Sequence, residues 1–144
     1  MRGKQLIIDN LNKQLTLELT SMDQYLAHSK MYEDWGMNKL HEKLAHEYDE
    51  ELGHAKRLTE RILFLEGLVD TASREPLKIG SNVKEMLAND LSAEHTVAAS
   101  LKRIIVLCEQ EQDYISREIL EELLDDTESD HIYWLEQHMS LINK

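Results

Sequence analysis

Two short stretches, Glu51-Leu52-Gly53-His54 and Glu128-Ser129-Asp130-His131, limit how this chain can fold more than any others. Residues three apart on a helix share a face about one turn apart, so each Glu-x-x-His sends a carboxylate and an imidazole the same way. One such motif arises easily by chance in an acidic helix. Here each is preceded, at nearly the same interval, by an acid set in an apolar stripe: Glu18 before Glu51, and Glu94 before Glu128. Two half-sites on four helices would bring six side chains together, Glu18, Glu51, His54, Glu94, Glu128 and His131.

The apolar pattern supplies those four helices. From about Lys4 to Glu33, Leu11, Leu15, Met22, Tyr25 and Tyr32 recur at helical spacing with Glu18 among them. Trp35-Gly36 breaks the pattern, Gly36 being suited to a helix end. So short a link turns the second helix, about Met37 to Leu65, antiparallel to the first. Its stripe is Leu40, Leu44, Glu51, His54, Leu58, Ile62 and Leu65. Gly67 to Asn82 holds the one proline, Pro76, with Gly67 and Gly80 and no helical stripe, and reads as a crossover running the length of a bundle.

A third helix, about Val83 to Glu111, carries Val83, Leu87, Leu91, Val97, Leu101, Ile104 or Ile105, and Cys108 around Glu94. After a link near Gln112-Asp113, a fourth runs from about Tyr114 to Ile142. Ile119, Leu120, Leu123, Leu124, Leu135 and Met139 share its stripe with Glu128 and His131. Helices of roughly 27 to 30 residues span about 40 to 45 Å at 1.5 Å per residue. Matched helices joined short, long, short predict an all-α fold, a ferritin-like four-helix bundle with a long crossover between helices 2 and 3. Residues 1–144 read as a single domain.

Composition agrees. With five Gly, one Pro and 31% charged residues in 144, long helices are favoured over strands, and the length suffices for a core without disulfides. The single cysteine, Cys108, has no intrachain partner, and the start MRGKQLIIDNLNKQL lacks the apolar run of a signal peptide. No apolar stretch is long enough to span a bilayer. A soluble, cytoplasmic protein is expected. A net charge of −12 excludes nucleic-acid and anionic-membrane partners. It serves either solubility or the attraction of cations.

Four buried carboxylates without a counter-charge would cost several kcal/mol per ion or force protonation. Two divalent cations balance four carboxylates, and each imidazole gives one of them a neutral nitrogen. Carboxylate and imidazole ligands with open positions suit iron or manganese that changes oxidation state, and two Fe(II) can deliver two electrons at once to O2 or peroxide. That is ferroxidase chemistry. Tyr25, seven residues after Glu18, and Trp134, three after His131, are either core aromatics or electron donors. His46 and Glu50, with Glu47 beside them, form either a solvated face or a strip that holds iron on its way inward.

Several stretches together resemble bacterioferritin: LNKQLTLELTSMDQYLAHSKMYEDWG, HEYDEELGHAKRLTERILFLEGL, KIGSNVKEMLANDLSAE, DYISREIL and HIYWLE. The resemblance implies that Glu18, Glu51, His54, Glu94, Glu128 and His131 are the ligands of a ferroxidase centre holding two iron ions per subunit. Glu51 and Glu128 would bridge the metals, with Glu18 and Glu94 as terminal ligands. It further implies storage of ferric mineral in a hollow homo-oligomeric shell, usually of 24 subunits. His46 matches an inner-surface iron site, Glu50 standing where an aspartate is usual, and Tyr25 and Trp134 match proposed electron donors.

Three departures qualify the resemblance. Leu52 occupies the position of the family's haem-ligating methionine, so this chain alone should not ligate haem, unless a haem-bearing bacterioferritin subunit co-assembles with it. The sequence ends at Lys144, short of the family's small fifth helix, and the shells expected are a 24-mer with wider openings first and a 12-mer second. One extra residue lies in Leu124-Asp125-Asp126-Thr127-Glu128. An added residue turns a helix by about 100°, so either a π-bulge absorbs it or the upstream part packs in a shifted register. Two rival readings remain: a peroxide-reducing di-iron enzyme, and a structural shell subunit that relies on an active partner.

Overall fold

The computed structural model describes residues 4–143. The elements are α1 (Gln5–Asp34), α2 (Asn38–Phe64), α3 (Val83–Gln110), α4 (Tyr114–Asp126), a π-helical turn (Thr127–Ile132) and α5 (Tyr133–Ile142). Thr127 and Tyr133 keep right-handed helical dihedrals, so α4, the π turn and α5 form one rod. Four rods with a crossover from residue 65 to residue 82 make the all-α, ferritin-like four-helix bundle that the stripes predict.

Local chemistry sets the corners. Gly36 takes φ of 74°, a left-handed conformation without penalty for glycine, and the Gly36 and Met37 amides donate back to Glu33 and Tyr32 carbonyls. Asn82 starts α3: its side-chain oxygen accepts from the Glu85 amide at 2.9 Å while its Nδ2 donates to Glu85 Oε2 at 2.8 Å. Asp113 starts α4 by accepting from the Ser116 amide at 3.1 Å. Arg61 of α2 reaches the same corner, donating to Ser116 Oγ at 2.8 Å and Asp113 Oδ1 at 3.0 Å.

Two apolar clusters fill the bundle. The larger holds Leu15, Leu58, Ile62, Leu101, Ile104, Cys108 and Leu120, and the smaller Tyr25, Tyr32, Leu44 and Met86. Burying each large aliphatic side chain contributes roughly 1.5–3 kcal/mol. Along every rod the metal-type residues lie between the two clusters: Glu18 between Leu15 and Tyr25, Glu51 and His54 between Leu44 and Leu58, Glu94 between Met86 and Val97. The apolar layers keep water from both ends of this polar layer.

The crossover is tied to α1 by polar side chains. Asn12 Nδ2 donates to the Leu68 carbonyl at 2.8 Å and its Oδ1 accepts from the Asp70 amide at 2.9 Å. Gln24 Oε1 accepts from the Lys78 amide at 3.1 Å. The buried Gly80 amide donates to His28 Nε2 at 3.2 Å, leaving His28 Nδ1–H to donate to Asp90 at 2.9 Å. Gly80 lies so close to α3 that a Cβ there would meet the Met86 nitrogen at 2.6 Å. Gln24, His28 and Asp90 are therefore buried, whereas Met22, Leu40, Val83, Leu91, Ile119 and Leu124, expected in the core, are half-buried. Paired polar groups under the crossover displace apolar ones from part of the interior.

Candidate metal centre

Glu18 comes from α1, Glu51 and His54 from α2, Glu94 from α3 and His131 from the π turn, and all five are buried. Ligand atoms of Glu18, Glu51 and His54 lie within 4.8 Å of one another, as do those of Glu51, Glu94 and His131. Glu51 belongs to both groups. Its Oε2 is 3.8 Å from His54 Nδ1 and its Oε1 is 3.3 Å from His131 Nδ1. His54 Nδ1 is also 3.4 Å from Glu18 Oε1, and His131 Nδ1 is 3.4 Å from Glu94 Oε2. The two imidazoles stack with centroids 6.1 Å apart and planes 12° apart.

The outer nitrogens are occupied. His54 Nε2–H donates to Asp126 Oδ2 at 3.0 Å, and His131 Nε2–H donates to Glu50 Oε2 at 2.8 Å with Glu47 in contact as well. Outer hydrogen bonds of this kind fix the tautomer and turn the Nδ1 lone pair inward. The inward-facing atoms lack hydrogen-bond partners: both oxygens of Glu18 and of Glu51, Glu94 Oε2, and Nδ1 of both histidines. A group of unsatisfied buried oxygens and imidazole nitrogens, sharing one carboxylate, fits metal cations.

Glu128 is elsewhere. Its side chain, 46% exposed, points outward and pairs with Lys102 Nζ at 3.0 Å. This corrects the expectation that Glu128 shares the buried stripe. The extra residue is absorbed by the π turn, so Thr127 is the buried residue at the end of α4 and Glu128 is turned out by about 100°. The wider π turn then returns His131 to the interior. The upstream part keeps its buried Leu120 and Leu123.

Of the other candidates, Tyr25 is buried, donates its hydroxyl hydrogen to Glu94 and meets the His131 ring edge-on at 6.3 Å. Trp134 stacks on His138 at 3.9 Å, with Lys43 Nζ 5.5 Å from its ring centre. His46 pairs with Glu50, and with Glu47 and Asp130 they form a third group of potential ligands at the rim. Lys43 already stands there, 2.7 Å from Glu47 and 3.0 Å from Asp130. Leu52 is half-buried beside Leu19 and Ala55. Asp126 and the buried Glu47 lie outside the ligand set expected from the sequence. Glu47 had left a signal, one turn before Glu51 on the same face.

Burial, then the charges of Glu18 and Glu94, hold the Glu51 carboxyl well above the usual range. Burial would lower both histidines, but it is outweighed at His54 by Glu18 and Asp126, and at His131 by Glu94, Glu47, Glu50 and Glu51, so both are raised. Burial lifts Glu94 less than His131 and Tyr25 depress it, leaving it lowered, and the His131 hydrogen bond brings Glu50 down to about 2.

The raised groups bind protons better folded than unfolded. Their stabilising effect is present below the unfolded values, about 4.3 for Glu and about 6.5 for His, and is lost as pH rises. The lowered acids act in the opposite sense, losing their effect only as pH falls below about 4.3. Stability of the metal-free protein is therefore expected to fall between about pH 6 and pH 9, and Mn(II) should remove the fall because metal replaces the protons. Urea midpoints across that range, with and without Mn(II), check this. A flat metal-free profile contradicts it.

Among the described residues no helix is long and apolar enough to cross a membrane. The Ferritin-like domain family matches this chain over residues 8–144. A bacterial ferritin of Pseudomonas aeruginosa is 52% identical over 144 residues, covering 99% of this chain and 92% of the relative. One from Synechocystis sp. is 49% identical, covering 100% and 92%. A bacterioferritin of Brucella melitensis is 40% identical, covering 100% and 89%. With a four-helix bundle that gathers two Glu-x-x-His histidines around a shared carboxylate, the chain belongs to the ferritin-like family, as a member of its bacterioferritin type.

Proposed function

We propose that this chain is a single-domain ferroxidase subunit of an iron-storing shell, oxidising Fe(II) between Glu18, Glu51, His54, Glu94 and His131. The observation that carries this reading is the position of Glu51, whose two oxygens each face the Nδ1 of a different histidine. Glu18 and His54 serve one metal position, and Glu94 and His131 the other.

Iron is the substrate. Each of two Fe(II) ions gives up one electron, and the pair reduces O2 with two protons to H2O2, or H2O2 with two protons to two waters. The protein's part is to hold the ions side by side, to keep both Nδ1 atoms aimed inward through Asp126, Glu47 and Glu50, and to release protons from Glu51 and the imidazoles as metal enters. Tyr25, hydrogen-bonded to Glu94, is placed to give a further electron. Trp134, under Lys43, is the more remote donor. The rim group of His46, Glu47, Glu50 and Asp130 is a staging place for iron between the centre and the cavity.

Leu52 offers no donor atom to a haem, so haem would enter only through a co-assembling, haem-bearing subunit. The working assembly is a cytoplasmic homo-oligomeric shell, a 24-mer in preference to a 12-mer. Aerobic Fe(II) titration of the metal-free protein, with particle size followed by light scattering, tests the whole reading. A fast phase saturating near two irons per chain, then slower retention of many more in a large particle, is expected. A fast phase without retention would favour a peroxide-reducing di-iron enzyme, and no fast phase would overturn the ferroxidase assignment.

A further inference from the structure

Gln14 of α1 is 0% exposed, and neither its Nε2 nor its Oε1 has a hydrogen-bond partner. A buried amide left unpaired destabilises a fold, and an apolar side chain would fill the same place without that cost. Four residues on, one turn along the same face, stands Glu18, also 0% exposed and with both oxygens unpaired. Building on the ferroxidase reading, we propose that Gln14 is a positioning residue of the centre: its Nε2–H donates to the Glu18 oxygen turned away from His54, and so holds the carboxylate for the other oxygen to meet a metal.

The opposite half of the centre already shows this arrangement. Glu94 turns Oε2 to His131 Nδ1 at 3.4 Å while its Oε1 accepts from the Tyr25 hydroxyl, a donor supplied by α1. Glu18 likewise turns Oε1 to His54 Nδ1 at 3.4 Å, but its Oε2 has no donor. Glu51 needs none, because its two oxygens face two different histidines. Both imidazoles are held from outside, by Asp126 and by Glu50. Glu18 is the ligand left without the outer hydrogen bond that orients a metal-binding carboxylate.

One donor is within reach of it. Among the described residues, the other buried donors without a partner outside the centre are the Tyr32 hydroxyl and Arg117 Nε. Tyr32 lies about 21 Å farther along α1 at 1.5 Å per residue. Arg117 ion-pairs with Glu109 and Glu121 at the start of α4. Gln14 is only about 6 Å from Glu18 along the axis, and helices readily pair a glutamine with an acid four residues away.

The test is a Co(II) titration of the metal-free assembled protein, followed by calorimetry and visible absorption, with urea denaturation alongside. Gln14→Met keeps the length of the side chain and removes its donor. It should raise the urea midpoint of the metal-free protein while weakening Co(II) binding by about tenfold. Its Co(II) band should shift, because the Glu18 carboxylate is then free to turn. Tyr32→Phe, which removes an unpaired buried hydroxyl far from Glu18, should leave Co(II) affinity within about twofold. In a Glu18→Gln background, Gln14→Met should no longer change the affinity. Gln14→Leu serves the same purpose if the methionine variant does not assemble.

Unchanged Co(II) affinity and absorption in Gln14→Met, or the same loss of affinity in the Glu18→Gln background, would overturn the inference. No Co(II) bound by the native chain would overturn the ferroxidase reading beneath it, so binding by the native chain separates the two failures.

Discussion

Replacing Glu51 with glutamine is expected to make the metal-free protein more stable while abolishing rapid iron oxidation. Glu51 is completely buried, its carboxyl raised by desolvation and by Glu18 and Glu94, and both oxygens lack hydrogen-bond partners. Removing a buried, poorly compensated acid stabilises a fold by about 1 kcal/mol or more. The same change removes the one oxygen pair shared by both groups of ligands. Loss of an outer-shell partner alone costs about 10- to 100-fold in a metal site, so the oxidation rate should fall by more than about 100-fold. Urea denaturation at neutral pH and stopped-flow Fe(II) oxidation measure the two effects. A destabilised variant, or one oxidising iron at near the native rate, would contradict the role given to Glu51.

Replacing Asp90 with alanine should cost about 3 kcal/mol or more, the largest stability loss expected of a residue outside the metal layer. Asp90 accepts from His28 Nδ1 at 2.9 Å and from Gln24 Nε2 at 2.8 Å, and all three residues are buried. Without it two buried donors lose their acceptor. The crossover loosens with them, because His28 and Gln24 hold the Gly80 and Lys78 amides. Faster tryptic cleavage at Lys78, together with a lowered urea midpoint, is the expected signature. A loss below about 1 kcal/mol would mean that water replaces Asp90 without penalty.

Much of this was legible in the sequence because a helix repeats its faces. Glu18, Glu51, His54 and Glu94 fall in stripes whose period is local, and each is buried where its stripe places it. The corners at Gly36, Asn82 and Asp113 follow from residues with a conformational or capping reason to be there. Glu128 was misplaced for an equally physical reason. The three-residue spacing to His131 puts two side chains on one face only while the helix stays α, and the π turn begins just before it. The extra residue announced a local anomaly but not which side chain would be turned out. Thr127 carried no metal-type signal. The His28–Asp90 pair was illegible because it joins residues far apart in the chain on helices whose relative rotation no local pattern fixes.

The relatives agree with the fold but do not determine how this chain fills its centre. The direct measurement is anomalous diffraction from crystals of the assembled protein soaked anaerobically with Fe(II). The account predicts two iron peaks astride Glu51, one within ligand reach of Glu18 and His54 Nδ1 and the other of Glu94 and His131 Nδ1, with Glu128 still at the surface. Iron confined to the rim at His46 and Glu50, with nothing at Glu51, would contradict it.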